Sequence, residues 1–155
     1  MAKPIPDGYH SLTPYLVVNN AASAIDFYKR AFGAIEFFRM DDPSGRIGHA
    51  ELQIGDSRLM LADEYPEQGF TAPATPGKAG VTMHLYVENV DAVFNQAVAA
   101  GAKAVRPLEN QFYGDRTGSV VDPFGHSWYL ATHVEDLTEE EMGRRAAAAF
   151  AGKSS

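Results

Sequence analysis

The chain repeats one pattern of secondary structure, and this repeat constrains its fold more than any other feature. Residues 13–33 and residues 82–101 each contain an extended run, then an amphipathic stretch, then a glycine. The two extended runs align when Tyr15 is matched to His84, 69 residues later. Further runs rich in β-branched and aromatic residues follow each glycine. Because the unit is too long for a solenoid repeat and occurs twice, we predict two βαβββ modules that share a cleft.

A proline- and glycine-rich stretch separates the two copies of the repeat. We predict one domain over residues 8–135, with modules at about 10–63 and 81–133 and a linker over 64–80. Its class is α+β, with a mixed sheet that encloses the cleft. A further helix and tail over 136–155 begin at a capping box, Thr138 with Glu141. The linker could cross the cleft as a flap, or be a disordered connector.

The local signals place one helix and four strands in each module. Asn19 and Asn20 are suited to cap the first helix and Asn89 the second, and the helices end at Gly33 and Gly101. Spacings of three and four predict their buried faces as Ala24, Phe27, Tyr28, Ala31 and Phe32, and as Val90, Val93, Phe94, Ala97 and Val98. Strands are predicted at residues 12–18, 35–40, 48–54 and 58–62, then at 83–87, 104–108, 118–122 and 127–132.

Composition excludes several classes of function. The formal net charge is −7 and the 13 Lys and Arg residues are scattered, which argues against a nucleic-acid partner. Cysteine is absent, so disulfides, thiolate nucleophiles and cysteine metal ligands are excluded. The N-terminus lacks the apolar core of a signal peptide, and no apolar run approaches the roughly 20 residues that span a bilayer. We therefore predict a soluble, cytoplasmic protein with no membrane partner.

Three motifs carry a resemblance to a known family. They are the run Thr-Pro-Tyr-Leu-Val-Val to Ala-Phe-Gly-Ala over 13–34, Gln-Phe-Tyr-Gly-Asp-Arg over 111–116, and Asp-Pro-Phe-Gly-His over 122–126. With the duplicated βαβββ unit, they resemble the vicinal oxygen chelate superfamily, in its PhnB-like glyoxalase branch. The resemblance implies the glyoxalase/bleomycin resistance fold. It leaves the reaction open, because this fold hosts many chemistries and pure binding proteins.

The resemblance also implies where a metal would sit. In metal-using relatives, the first and last strands of each half supply the ligands. Those positions hold Tyr15 and about Leu59 in the first half, and His84 and Tyr129 in the second. One imidazole does not suffice, since catalytic zinc typically takes three protein ligands. We therefore expect no cofactor, and the departure counts against glyoxalase I activity, fosfomycin modification and dioxygenation.

A displaced metal site is an alternative. His49 and Glu51 lie two residues apart on one predicted strand, so their side chains share a face. If that face lines the cleft, the two residues could bind a divalent metal together with His84. General acid–base chemistry by His84 and Glu51 without a metal is a further alternative, since it needs only two polar groups in an apolar cleft. The remaining alternative is a polar face that contacts solvent or a ligand.

The leading functional hypothesis is a protein that binds a small, planar molecule in an aromatic cleft into which His84 projects. The residues assigned to ligand binding are Tyr15, Tyr86, Phe112, Tyr113, Arg116 and Tyr129, with Trp128 and Phe70 as further candidates. Drug-sequestering relatives bind in this way without a metal. The alternative is a metal-dependent lyase, isomerase or dioxygenase with a non-standard ligand set, so whether the protein is an enzyme stays open. In a third interpretation, many of these rings are simply core.

Two further expectations concern loops and assembly. His126 is interpreted as a structural turn residue. Asp115 and Arg116 either fix the loop around them, or Arg116 binds an anionic group of a ligand. The resemblance implies a homodimer.

Overall fold

The computed structural model describes residues 1–152, so the last three residues of the predicted tail, 153–155, lie outside the described residues. The first half contains β1 (Tyr15–Val18), α1 (Ala21–Phe32), β2 (Ile35–Asp41), β3 (Ile47–Ile54) and β4 (Ser57–Asp63). The second contains β5 (Thr82–Tyr86), α2 (Val90–Ala100), β6 (Lys103–Asn110), β7 (Asp115–Val121) and β8 (Ser127–His133). A short 3-10 turn (Pro66–Gln68) lies in the linker, and α3 (Glu139–Ala151) follows the second half.

Each half forms one four-stranded sheet with the same topology. The strand orders are β1-β4-β3-β2 and β5-β8-β7-β6, and in each sheet the first strand pairs in parallel with the last. Tyr15 lies opposite Met60, and His84 lies opposite Tyr129. The prediction of two βαβββ modules is confirmed. The first-half counterpart of Tyr129 is therefore Met60, and the expected position at about Leu59 is wrong by one residue.

The helices begin and end where the local signals predict. The side chain of Asn20 accepts a hydrogen bond from Ser23 N, and that of Asn89 from Ala92 N, both at 3.1 Å. Gly33 ends α1 with φ of 69°, a left-handed conformation that glycine adopts without steric cost. Both helices lie on one face of their own sheet, so the opposite face of each sheet is left free of helix; we call it the open face.

The two modules join through their helices and one buried carboxylate. Tyr28 Oη donates to Asp122 Oδ2 at 2.5 Å, and Trp128 Nε1 donates to the same oxygen at 2.9 Å. The rings of Phe32 and Trp128 lie 4.5 Å apart. His126, in the turn before β8, bonds through Nε2 to the carbonyl of Val17 at 2.9 Å. His126 thus has the structural role that was expected of it.

Some predicted bounds differ from the structure. The first strand begins at Tyr15 rather than at residue 12, because Pro14 lacks an N–H and only its carbonyl joins the ladder, accepting from Met60 N. β7 begins three residues earlier than expected, at Asp115. Val98 is 39% exposed, since the buried face of α2 consists of Val90, Phe94 and Ala97.

The C-terminal helix α3 docks against the loop between β6 and β7. Thr138 Oγ1 accepts from Glu141 N at 3.1 Å, as the capping box predicts. Arg145 donates to the carbonyl of Phe112 at 3.2 Å, and the rings of Phe112 and Phe150 lie 6.1 Å apart. Within residues 1–152, no helix has the length and apolar character needed to cross a membrane.

Candidate functional site

A cleft of about 940 Å³ lies between the modules, alongside β1 and β5. Each of these strands is the outer strand of its sheet and pairs on one side only, with β4 or β8. The chain between the modules and the segment before β1 complete the walls. Among the lining residues are His10, Leu12, Tyr15, Val17, Arg58, Leu59, Ala72, Pro73, Lys78, Val81, Met83, His84 and Trp128.

Two predicted site residues line this cleft at equivalent positions of the repeat. Tyr15 lies on β1 and is 46% exposed. His84 lies on β5, where its ring stacks on Tyr129 with centroids 5.7 Å apart and lies 4.9 Å from the ring of Tyr86. Trp128 also lines the cleft but is only 3% exposed, so most of its ring belongs to the core between the modules.

Other predicted ligand-binding residues are engaged elsewhere. Tyr86 Oη donates to Asp115 Oδ2 at 2.6 Å, and Tyr129 reaches the site only as the ring under His84. Phe112 packs against Tyr113, with centroids 5.2 Å apart, as well as against α3. Neither Phe112 nor Tyr113 lines the cleft, and Phe70 of the linker does not line it either.

Arg116 forms an ion pair instead of lining the cleft. Its Nε donates to Asp91 Oδ1 at 2.7 Å, and its Nη1 donates to Asn110 Oδ1 at 3.2 Å. Its neighbour Asp115 is bonded to Tyr86 and to His133. Of the two predicted roles for Asp115 and Arg116, this geometry favours fixing the surrounding chain.

A chain of hydrogen bonds leads from the cleft across the open face of the first sheet. Tyr15 Oη lies 2.9 Å from His49 Nδ1, and His49 Nε2 lies 3.0 Å from Glu51 Oε2. Tyr9, in the segment before β1, donates its hydroxyl to Glu51 Oε1. Because the carboxylate only accepts, His49 Nε2 donates to it, and the neutral ring accepts from Tyr15 at Nδ1.

The charge of Glu51 is stabilised where it lies. The hydrogen bond from Tyr9 is the main reason that the pKa of Glu51 is lowered, and the bond from His49 adds to it. Burial, together with the carboxylate, raises the pKa of Tyr9 to about 12. Burial also raises the pKa of Tyr15. At neutral pH this series of hydrogen bonds therefore contains an ionised Glu51 and protonated tyrosines. The arrangement can orient the Tyr15 hydroxyl at the cleft.

Comparison with known proteins identifies the family of this chain. The family model of the Glyoxalase/Bleomycin resistance protein/Dioxygenase superfamily matches residues 9–130. The chain belongs to this superfamily. An uncharacterized protein of Mycobacterium tuberculosis is 46% identical over 135 residues, covering 85% of this chain and 79% of that protein.

Two solved structures share the fold of this chain. The X-ray structure of an Arabidopsis thaliana gene product matches with a TM-score of 0.63 and 30% identity, covering 79% of this chain and 98% of that one. A PhnB protein from Bacillus cereus also has a TM-score of 0.63, with 22% identity, over 79% of this chain and 99% of that one. The second likeness shows the fold alone.

The ligand positions of metal-using members of the superfamily are poorly suited to a metal in this chain. With the observed register, the four positions hold Tyr15, Met60, His84 and Tyr129. A phenol is mostly protonated at neutral pH and a thioether is a poor ligand for Zn²⁺, so one good ligand remains. Among residues 1–152, no group of three or more His, Cys, Asp or Glu side chains could hold a metal ion.

The displaced metal set of His84, His49 and Glu51 is only partly assembled. His49 and Glu51 are hydrogen-bonded to each other, but among the described residues these two and His84 do not form a group that could hold a metal ion. Within residues 1–152, neither set of residues brings together the three protein ligands that a catalytic zinc typically takes.

The sequence reasoning missed four residues of the site. Tyr9 and His10 lie in the segment before β1, which carries no periodic signal, and Lys78 lies in the linker. Arg58 lies on β4, two residues before Met60, so it shares the open face with Tyr15. Arg58 could have been found by alternation along β4 once the register was known.

Proposed function

We propose that this superfamily member binds a small, planar organic molecule in the cleft between its modules. The observation that carries the proposal is the cleft itself, because its volume of about 940 Å³ suits a drug-sized ligand. Its walls are mainly apolar, with a few polar groups at intervals. This is the usual composition of a small-molecule site, in which apolar area gives affinity and a few polar atoms fix orientation.

The rings at the cleft favour a flat ligand. Tyr15 and His84 line it at equivalent positions of β1 and β5, and each ring is held by neighbours. The hydroxyl of Tyr15 is held by His49 at 2.9 Å, and the ring of His84 is stacked on Tyr129. A ring that is already fixed loses little conformational entropy on binding, and its face stacks on planar groups.

We propose that binding needs no resident metal. The support is the donor set at the four ligand positions, where two phenols and a thioether accompany His84. The competing function is a metal-dependent lyase, isomerase or dioxygenase with a non-standard ligand set. Tight, stoichiometric binding of Zn²⁺, Ni²⁺ or Mn²⁺ that is lost in His84→Ala would favour it.

We further propose that the protein is a homodimer. Its support is the edge strand β2, whose apolar side chains Ile35, Phe37, Phe38 and Met40 are each at least 45% exposed. An exposed apolar edge strand is a template for association with another chain. Light scattering over a range of concentrations tests this, and a concentration-independent monomer mass would contradict it.

Titration with 2-naphthoate and 2-naphthamide, followed by Trp128 fluorescence and calorimetry, tests ligand binding. We expect saturable, one-to-one binding of both probes, and weaker binding in Tyr15→Ala because a stacking surface is lost. The matched control is Phe150→Ala, since Phe150 is an exposed aromatic residue on α3 outside the cleft. Binding of neither probe by the wild-type protein would contradict the proposed function.

A further inference from the structure

We infer that the ligand carries an anionic group of carboxylate type, and that Arg58 binds this group. The inference rests on the proposed function, because it names the ligand class of the same cleft. Three observations carry it: the charge of the cleft walls, the lack of a partner for Arg58, and the packing that holds its guanidinium in place.

The cleft walls have the opposite charge sign to the chain. The protein has 20 Asp and Glu residues against 13 Lys and Arg, and a formal net charge of −7. Yet the cleft is lined by Arg58, Lys78 and three histidines, with no Asp or Glu among its lining residues from the described chain. A cleft of one sign focuses the field on ligands of the other sign, so this one favours an anion.

The side-chain N–H donors of Arg58 have no hydrogen-bond acceptor among the described residues. A guanidinium carries five N–H donors, yet within residues 1–152 the side chain of Arg58 makes no hydrogen bond or ion pair, and its Nε is buried without an acceptor. By contrast, Arg116 holds Asp91 at 2.7 Å and Arg39 holds Glu36 at 2.7 Å. No protein acceptor occupies the remaining N–H groups of this guanidinium, so a ligand oxygen that reaches them gains a charge-assisted hydrogen bond without displacing a protein partner.

Two aromatic rings fix the position of the guanidinium. Its carbon lies 3.8 Å from the ring centroid of Phe37 and 5.2 Å from that of Tyr9. The register shift between Glu36 and Phe38 breaks the alternation of β2, which lets Phe37 reach Arg58 while Phe38 still contacts His49. A guanidinium held flat in this way presents its donors in its own plane, the geometry that matches two carboxylate oxygens.

The segment before β1 approaches Arg58 closely at a glycine. Gly8 has φ of 83°, and a Cβ there would lie 2.5 Å from Arg58 Nη2. This close approach brings the Tyr9 ring over the guanidinium.

An acidic residue on the open face, Glu51, already has hydrogen-bond partners other than Arg58. Glu51 feels the charge of Arg58, which helps to lower the pKa of its carboxyl group, but no ion pair forms between them. Both oxygens of Glu51 are bonded instead, to the Tyr9 hydroxyl and to His49 Nε2. Arg58 therefore keeps its hydrogen-bonding capacity for a ligand.

Affinities for 2-naphthoate and for its neutral counterpart 2-naphthamide test the inference in the full-length protein. We expect the wild-type protein to prefer the acid by about tenfold or more, the scale of a charge-assisted hydrogen-bonded pair. Arg58→Gln is expected to abolish this preference by weakening naphthoate alone. Arg58→Lys keeps the charge without the planar fork and is expected to keep part of the preference.

The matched control is Arg106→Gln, because Arg106 is exposed on β6, outside the cleft, and within residues 1–152 it too has no acidic partner. It is expected to leave the preference unchanged. Equal affinity for both probes, or an acid preference that persists in Arg58→Gln, would overturn the inference while the proposed function stands. Binding of neither probe would overturn the proposed function, and the inference with it.

Discussion

The two modules keep the same backbone scaffold and differ on their open faces. At the start of α1, Ala21 N donates to Asp63 Oδ1 at 2.7 Å, and at the equivalent start of α2, Val90 N donates to Thr132 Oγ1 at 2.9 Å. The equivalent backbone N–H thus has a different side-chain acceptor in each module, because a buried N–H without an acceptor at a helix start costs free energy. No shared backbone donor constrains the side chains of the open faces, so they differ between the modules. Arg58 of the first module, for example, corresponds to Ser127 of the second.

One turn motif shows how context changes the role of a single residue. Asp42 Oδ1 accepts from Ser44 N and Arg46 N in the turn between β2 and β3. In the turn between β7 and β8, Asp122 Oδ1 accepts the equivalent two bonds, from Phe124 N and His126 N. The second oxygen of Asp42 meets Tyr65 near the surface at 2.7 Å, whereas that of Asp122 is buried against the other module.

The largest predicted effect is the loss of stability on removing the carboxylate of Asp122, the buried one of the two turn aspartates. Asp122→Ala leaves the hydroxyl of Tyr28 and the indole N–H of Trp128 buried without an acceptor. We expect a loss of about 4 kcal/mol in the free energy of unfolding, since each unsatisfied buried donor costs about 1–3 kcal/mol. Urea unfolding measures it.

Asp42→Ala is the matched control, because it removes the same turn bonds where water can replace them. We expect it to cost clearly less than Asp122→Ala. Equal losses for the two variants would mean that the turn itself, and not the junction between modules, explains the stability that Asp122 contributes.

The sequence predicted the scaffold well and the site less well, for a physical reason. Helix caps, stops and the repeat are local signals, so Asn89, the two helix ends and the two βαβββ modules could be read directly. For the first helix the sequence offered both Asn19 and Asn20, and Asn20 forms the cap bond. Cleft residues depend on register and on how distant segments meet. The exact register distinguishes Met60 from Leu59, and the segment carrying Tyr9 reaches Glu51 from 42 residues away. Arg116 looked like an anion-binding residue because its partner Asp91 lies on another element.

An intermediate effect tests whether the two modules are energetically as well as structurally alike. Asn20→Ala and Asn89→Ala each remove a cap bond of 3.1 Å from the same position of equivalent helices. We expect each to lower the free energy of unfolding by about 1 kcal/mol. Asn19→Ala, at an exposed neighbouring residue outside the cap, is the control and should change little. A cap that matters in one module only would break the comparison.

The open faces of the two modules carry different titratable clusters, and that of the second module is built around Asp115. Asp115 is 4% exposed and accepts from Tyr86 Oη at 2.6 Å. His133 bonds to Asp115 through Nδ1 and to Asp136 through Nε2, both at 2.8 Å. At the positions equivalent to Tyr86 and Asp115 the first module has Val17 and Ile47. The protonation of His133 should therefore distinguish the two modules.

The smallest predicted effect is a shift in this titration. The hydrogen bond to Asp115, followed by that to Asp136, raises the pKa of His133. NMR titration of its ring protons should give a pKa above the ordinary value of about 6.5. Asp115→Asn should lower the pKa of His133 most, and Asp136→Asn should lower it less.

The raised pKa of His133 also makes stability depend on pH. Because the folded pKa is the higher one, these bonds stabilise the protein fully below the unfolded pKa. That stabilisation is lost as pH rises through the folded pKa. Since Asp136 is fully exposed, added salt should weaken its share first, and a pKa of His133 that neither variant changes would contradict the assignment.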